Sequence, residues 1–166
     1  MENFKYTETE LKKILKSIVI ISDSREKENS HILNWFDENG IKHEKQKLDY
    51  GDYSFKLPKN EEYGIIRDTY FTNKLSIERK ANVDEIIGNF ANDRERISDE
   101  FLRHKGKLVL VIEDGNYGDI RSGNYKSKYS SKSAIGTLHS LTDRNDISFI
   151  FLNKADTGCF IYCSFY

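Results

Sequence analysis

Two short runs of unbroken apolar residues constrain the fold of this chain more than any other feature. Ile18-Val19-Ile20-Ile21 and Leu108-Val109-Leu110-Val111-Ile112 are rich in β-branched residues, and each passes directly into polar sequence. A strand with water on one face alternates apolar and polar side chains, whereas a strand apolar throughout is covered on both faces. Segments with apolar residues at helical spacing surround these runs. Leu11, Ile14 and Leu15 follow a Thr7–Glu10 capping-box pattern, and Ser30 is placed to cap a helix bearing Ile32, Leu33 and Phe36 that stops at Gly40. Two-sided strands alternating with amphipathic helices predict an α/β fold, a mixed central sheet flanked by helices.

The middle of the chain makes the sheet mixed rather than all parallel. Tyr53, Phe55 and Leu57 alternate as in a half-buried strand, and a second β-rich stretch is predicted over 63–71. The apparent hairpin over 58–74 turns through Thr72-Asn73-Lys74 into Leu75-Ser76-Ile77-Glu78-Arg79-Lys80. Asn82 and Glu85 are placed to cap a helix with Val83, Ile86, Ile87 and Phe90 on its apolar face. Further helices are predicted over 93–104, with Ile97 and Phe101 inward, from Ser131, with Ala134, Ile135, Leu138 and Leu141 inward, and over 156–166. Residues 114–130 read as a Gly-, Ser- and Tyr-rich loop, and Ile147 to Leu152 as a strand.

The 166 residues fit a single domain, 1–166, with one core. No apolar run reaches the ~18 residues of a membrane span, and the first ten residues lack the apolar region of a secretory signal. An intracellular protein with no membrane partner is expected. Cys159 and Cys163 stand one helical turn apart, which reads as two buried helix-face thiols rather than a disulfide framework. A net charge of −1 does not announce nucleic-acid binding, but the average hides local order. Arg121, Lys126, Lys128 and Lys132 occur with no acid among them, interleaved with Tyr125 and Tyr129. That stretch reads either as a contact to a phosphate backbone and a base face or as a solvated loop.

The residues that carry chemistry lie in the predicted centre. Hydrolysing a phosphodiester requires an activated water and neutralisation of charge on the phosphoryl oxygens. A divalent cation supplies both, and carboxylates are the hard ligands that Mg²⁺ prefers. A neighbouring lysine orients the water, assists its deprotonation or stabilises the transition state. Asp52 begins one strand, and Glu78-Arg79-Lys80 ends another. Period-two alternation places Glu78 and Lys80 on one face and Arg79 on the other. Pairing of the two strands would bring Asp52 to Glu78.

These residues fall into a pattern. Gly51-Asp52, a gap, then Glu78-Arg79-Lys80-Ala81-Asn82-Val83-Asp84 resembles the signature of the XPF family of structure-specific endonucleases, G-D followed by E-R-K-x-x-x-D. Asp23-Ser24-Arg25-Glu26 resembles the family's upstream D-x-R-E segment. Val109-Leu110-Val111-Ile112-Glu113 resembles its apolar strand ending in an acid, and Ile135 to Leu141 the helix after it. The similarity covers roughly residues 17–152. It implies a restriction-endonuclease-like fold of the PD-(D/E)xK superfamily, dependence on Mg²⁺ or Mn²⁺, no small organic cofactor, DNA as partner and a homodimer. By position it implies Asp23, Asp52 and Glu78 as metal ligands and Lys80 as the catalytic lysine. Glu26 and Asp84 would be supporting acids, and Arg25 and Arg79 would contact phosphate or hold the acids. The gap is filled by the apparent hairpin of 58–74, whose Lys59, Arg67 and Lys74 read either as DNA contacts or as solvated side chains.

No helix-hairpin-helix pattern, the module that usually follows the nuclease domain in that family, is present in the sequence. The expected activity is metal-dependent cleavage of DNA at branched, flap or fork structures. The alternatives are a non-catalytic DNA-binding scaffold and a nuclease of RNA or unbranched DNA. Scaffold members of the family lose the acids and the lysine, and this chain keeps them.

Overall fold

Strand β1 (Val19–Asp23) is buried almost throughout, as its unbroken apolar run requires. In the computed structural model, which describes residues 6–92, 99, 104 and 106–166, it lies inside a seven-stranded sheet. The sheet has the order β2-β1-β3-β5-β6-β7, with β4 added to β3 off this path. The other strands are β2 (His43–Gln46), β3 (Tyr53–Leu57), β4 (Thr69–Tyr70), β5 (Leu75–Lys80), β6 (Lys107–Glu113) and β7 (Ile147–Leu152). β1 and β5 each run antiparallel to β3, whereas β2 is parallel to β1 and β5, β6 and β7 are mutually parallel. The mixed α/β sheet expected from the sequence is therefore the fold.

The helices are α1 (Glu8–Lys16), α2 (Ser30–Glu38), α3 (Val83–Asn92), α4 (Tyr117–Ser122), α5 (Ser131–Asn145) and α6 (Thr157–Phe165). Each face of the sheet has its own core. Ile86, Ile87 and Phe90 of α3 and Ala134 and Leu138 of α5 meet Leu108, Leu110 and Ile112 of β6. Ile32 and Phe36 of α2 and Ile161 of α6 meet Ile20, Tyr53, Ile77, Val109 and Val111 on the other face. Strand periodicity thus sends alternate residues of β6 into different cores. Full burial of each such aliphatic or aromatic side chain contributes about 1.5–3 kcal/mol.

The structure adds one strand that the sequence analysis did not anticipate and corrects several expectations. The segment 43–46 forms edge strand β2 although it has no apolar residue; a polar edge can pair on one side without inviting a second chain on the other. The β-rich stretch over 63–71 shrinks to Thr69–Tyr70, because Glu61–Tyr63 closes into a 3₁₀ turn capped by the Asn60 side chain. The loop over 114–130 contains α4, held by an Asn116–Asp119 capping box. Asn29 occupies the N-cap of α2, and Ser30 is its first residue. Cys159 and Cys163 are exposed, not buried, with their sulfurs 4.0 Å apart. The helix predicted over 93–104 lies outside the described residues, apart from 99 and 104.

Candidate active site

The site begins at a crossing of two backbones. Gly51 adopts φ +65°, and a Cβ added there would lie 2.9 Å from the Ile77 carbonyl oxygen and 3.1 Å from the Ser76 Cβ. Only glycine has both the left-handed backbone and the missing side chain that this approach demands. Asp52 follows at once. Its N–H donates to the Ile77 carbonyl (2.8 Å), and its own carbonyl accepts from the Asp23 N–H (2.7 Å). Its carboxylate accepts from the Arg79 N–H at 2.7 Å. Backbone bonds on both sides therefore aim Asp52 at the end of β5.

Alternation along β5 does the rest. Glu78 and Lys80 share the α3 face, and the Lys80 Nζ lies 2.7 Å from the Glu78 Oε1. The sequence placed this pair on one face, and the structure brings it into contact. Glu85, from the first turn of α3, brings its Oε1 to 3.8 Å from the same ammonium. Burial, and then the charge of Glu78, push the Asp52 carboxyl well above the ordinary carboxylate range, against the Arg79 hydrogen bond. Burial pulls the Lys80 ammonium down, but Glu78 by charge and hydrogen bond, and Glu85 by charge, leave it above an ordinary lysine. The arrangement is two mutually repelling carboxylates beside one retained positive charge.

Arg79 projects to the opposite face, where its side chain is 4% exposed. Its guanidinium donates to the Glu113 Oε2 at 2.7 Å and to the Glu26 Oε1 at 3.1 Å. The His31 Nε2 lies 2.7 Å from the other oxygen of Glu113, which is fully buried at the end of β6. Burial raises the Glu113 carboxyl, but Arg79, Thr157 and His31 hold it below the usual range. This buried network anchors the Arg79 side chain, while the Arg79 N–H orients Asp52. Arg79 and Glu26 thus hold the framework of the site, and the Glu26 charge also adds to the upward shift of Asp52.

Asp23, expected as a third metal ligand, has both carboxylate oxygens engaged by its neighbours. Its Oδ1 accepts from the Arg25 N–H (2.7 Å) and Nε (2.8 Å), and its Oδ2 from the Arg25 Nη2 (2.9 Å) and the Leu48 N–H (2.8 Å). Burial raises this carboxyl, yet those donors bring it below the ordinary value. Arg25, whose Nη2 also donates to the Leu48 carbonyl, clamps the corner where β1 ends. Asp84, expected as a supporting acid, accepts the Lys126 N–H on its Oδ1 at 2.7 Å. Arg121, Lys126, Lys128 and Lys132 are all exposed. Tyr125 and Tyr129, which the sequence offered for base contact, are half-buried against the core. The residues that sequence reading missed are Glu85, His31 and the part played by Glu113. Glu85 was legible only as a capping residue, and Glu113 as a lone acid closing an otherwise apolar run; His31 left no trace.

A divalent cation fits the donor chemistry at Asp52 and Glu78. Two carboxylates forced together in a partly desolvated corner repel each other, and a hard cation relieves that repulsion. Among the described residues no group of three or more His, Cys, Asp or Glu is arranged to hold a metal. Mg²⁺ does not need one, since it is commonly bound by one or two carboxylates together with water and substrate phosphate.

The seven-stranded mixed sheet with its flanking helices makes this an α/β domain of the XPF nuclease fold. Two solved structures, XPF from Aeropyrum pernix and the same protein in complex with DNA, superpose with TM-scores of 0.61 and 0.62 at 16% identity. Each match covers 87% of this chain and 62% of that one, so the chain corresponds to only part of those proteins. The ERCC4 domain model matches residues 22–165, and the chain belongs to that nuclease-domain family. The match runs past the resemblance over 17–152 to take in α6. A search of curated proteins finds no match by sequence. No helix among the described residues is long and apolar enough to cross a membrane.

Proposed function

We propose that this chain is a Mg²⁺- or Mn²⁺-dependent DNA endonuclease acting at branched, flap or fork structures. The observation that carries the proposal is the convergence of Asp52 and Glu78 beside Lys80. A bound divalent ion would acidify a water and neutralise charge on the phosphoryl oxygens. Asp52, oriented by the Arg79 N–H, and Glu78 would supply its ligands. Lys80 keeps its proton in this setting, so its part is to steady the attacking water and the pentacovalent phosphate by charge. DNA is favoured as partner because the related XPF structure was solved with DNA. Pairing of two copies and an intracellular setting belong to the same reading.

A labelled panel of flaps, forks, duplexes, single strands and RNA tests the substrate. Asp52→Asn and Glu78→Ala should stay folded by circular dichroism, lose Mn²⁺ binding by calorimetry and lose cleavage. Undiminished cutting by both variants would end the proposal. A scaffold would bind no Mn²⁺ through Glu78, and preferential cutting of RNA or plain duplex would move the substrate assignment.

A further inference from the structure

The segment from Asn124 to Lys132 is built more firmly than a solvated loop requires. Tyr125 and Tyr129 pack against the core shared by α3 and α5. The Tyr125 hydroxyl donates to the Tyr129 carbonyl at 2.8 Å, and the Tyr129 hydroxyl lies 3.0 Å from the Thr137 Oγ1 on α5. The Tyr129 N–H donates to the Ser127 hydroxyl at 3.1 Å. With the odd-numbered tyrosines turned inward, Lys126 and Lys128 are exposed between them. One end of the loop is also tied across the fold. Asp84, in the first turn of α3, accepts the Lys126 N–H on its Oδ1 at 2.7 Å. Its Oδ2 lies 3.7 Å from the Lys126 Nζ, a loose contact for a side chain that is 92% exposed. The strong bond therefore goes to the loop backbone, and the ammonium remains open to an outside anion.

We infer that residues 124–132 form a preordered rail for the phosphates of a nucleic-acid strand, and that Asp84 is the positioning residue docking this rail beside the cleavage site. The inference rests on the nuclease reading only for the identity of the partner. α3 starts directly after β5, so the element that anchors the rail is continuous with the strand bearing Glu78 and Lys80. A flexible basic loop would have to be ordered on binding, which weakens apparent affinity by the fraction of time it is competent. A carboxylate–amide bond removes that loss while leaving Lys126 and Lys128 their charge.

The test compares Asp84→Ala, Asp84→Asn and Lys126→Ala/Lys128→Ala in the full chain. Binding of a labelled fork is read by fluorescence anisotropy without divalent metal, cleavage is read with Mn²⁺, and Mn²⁺ affinity is read by calorimetry. Asp84→Ala should weaken DNA binding by roughly three- to tenfold and raise KM, with kcat and Mn²⁺ affinity changed by less than about twofold. Asp84→Asn keeps an oxygen acceptor for the Lys126 N–H and should recover most of that loss. The double lysine variant should lower the slope of log affinity against log salt by about 2. The inference is overturned if Asp84→Ala lowers kcat and Mn²⁺ affinity while DNA affinity holds, since Asp84 would then act at the metal. Failure of Asp84→Asn to recover affinity, or no binding of DNA by the unsubstituted protein, overturns it too. DNA binding without cleavage refutes the nuclease reading alone, because the affinity comparison still decides the role of Asp84.

Discussion

Gly51→Ala offers the sharpest test of how the fold makes the site. Two penalties add at this position. The backbone sits at φ +65°, and an L-residue there costs about 1–2 kcal/mol relative to glycine. The new Cβ would also stand 2.9 Å from the Ile77 carbonyl oxygen, where ordinary contact begins at 3.4 Å. Its obstacle is the backbone of a central strand, not a side chain that can swing aside. Forcing such a shift adds about 1–3 kcal/mol, for a sum of roughly 2–5 kcal/mol. Gly40 provides the control, since its φ is +66° but a Cβ there would meet nothing within 4 Å. Gly40→Ala carries the first penalty alone. With about 2–4 °C lost per kcal/mol in a domain of this size, Gly51→Ala should melt several degrees below Gly40→Ala. Any separation of Gly51 from β5 also moves Asp52 off the Arg79 N–H, so Mn²⁺ affinity and cleavage should fall in that variant only. Thermal unfolding by circular dichroism, with calorimetry on the folded protein, reads both. Equal melting temperatures for the two variants, or a Gly51→Ala protein that binds Mn²⁺ normally, would refute the argument.

Three further outcomes follow from the site. Glu113→Ala leaves the buried Arg79 guanidinium with Glu26 as its remaining ion partner among the described residues, so urea unfolding should show a loss of about 3 kcal/mol; a loss under about 1 kcal/mol would mean the network contributes little. The raised Asp52 carboxyl holds its proton more tightly folded than unfolded. Its contribution to stability is therefore complete below the unfolded value of about 3.9 and is lost as pH rises through the folded value. The stability of the unsubstituted protein relative to Asp52→Asn should accordingly decline with rising pH in chelator, and added Mn²⁺ should reverse the decline; a difference that grows with pH would show the sign to be wrong. Mn²⁺ affinity should itself climb over the same range, as the ion displaces a proton from Asp52, and a flat calorimetric profile would count against that carboxylate as a ligand.

What the sequence determined by itself is what short-range rules govern. The unbroken apolar runs required strands covered on both faces, and alternation put Glu78 with Lys80 and Arg79 behind them. The helix caps at Thr7 and Asn82 were likewise local matters, settled within one turn. The polar strand His43–Gln46 had no such signature, because its place comes from pairing with β1 and not from burying side chains. Tertiary structure alone decided which partner each charged group would find. Asp23 and Asp84 carry the same carboxylate as Asp52, yet one is saturated by Arg25 and Leu48 and the other holds the Lys126 amide. A carboxylate's role follows from which donors the fold brings within hydrogen-bonding reach; Arg25 is a near neighbour of Asp23, but the donors at residues 48, 79 and 126 arrive across separations that no local pattern encodes.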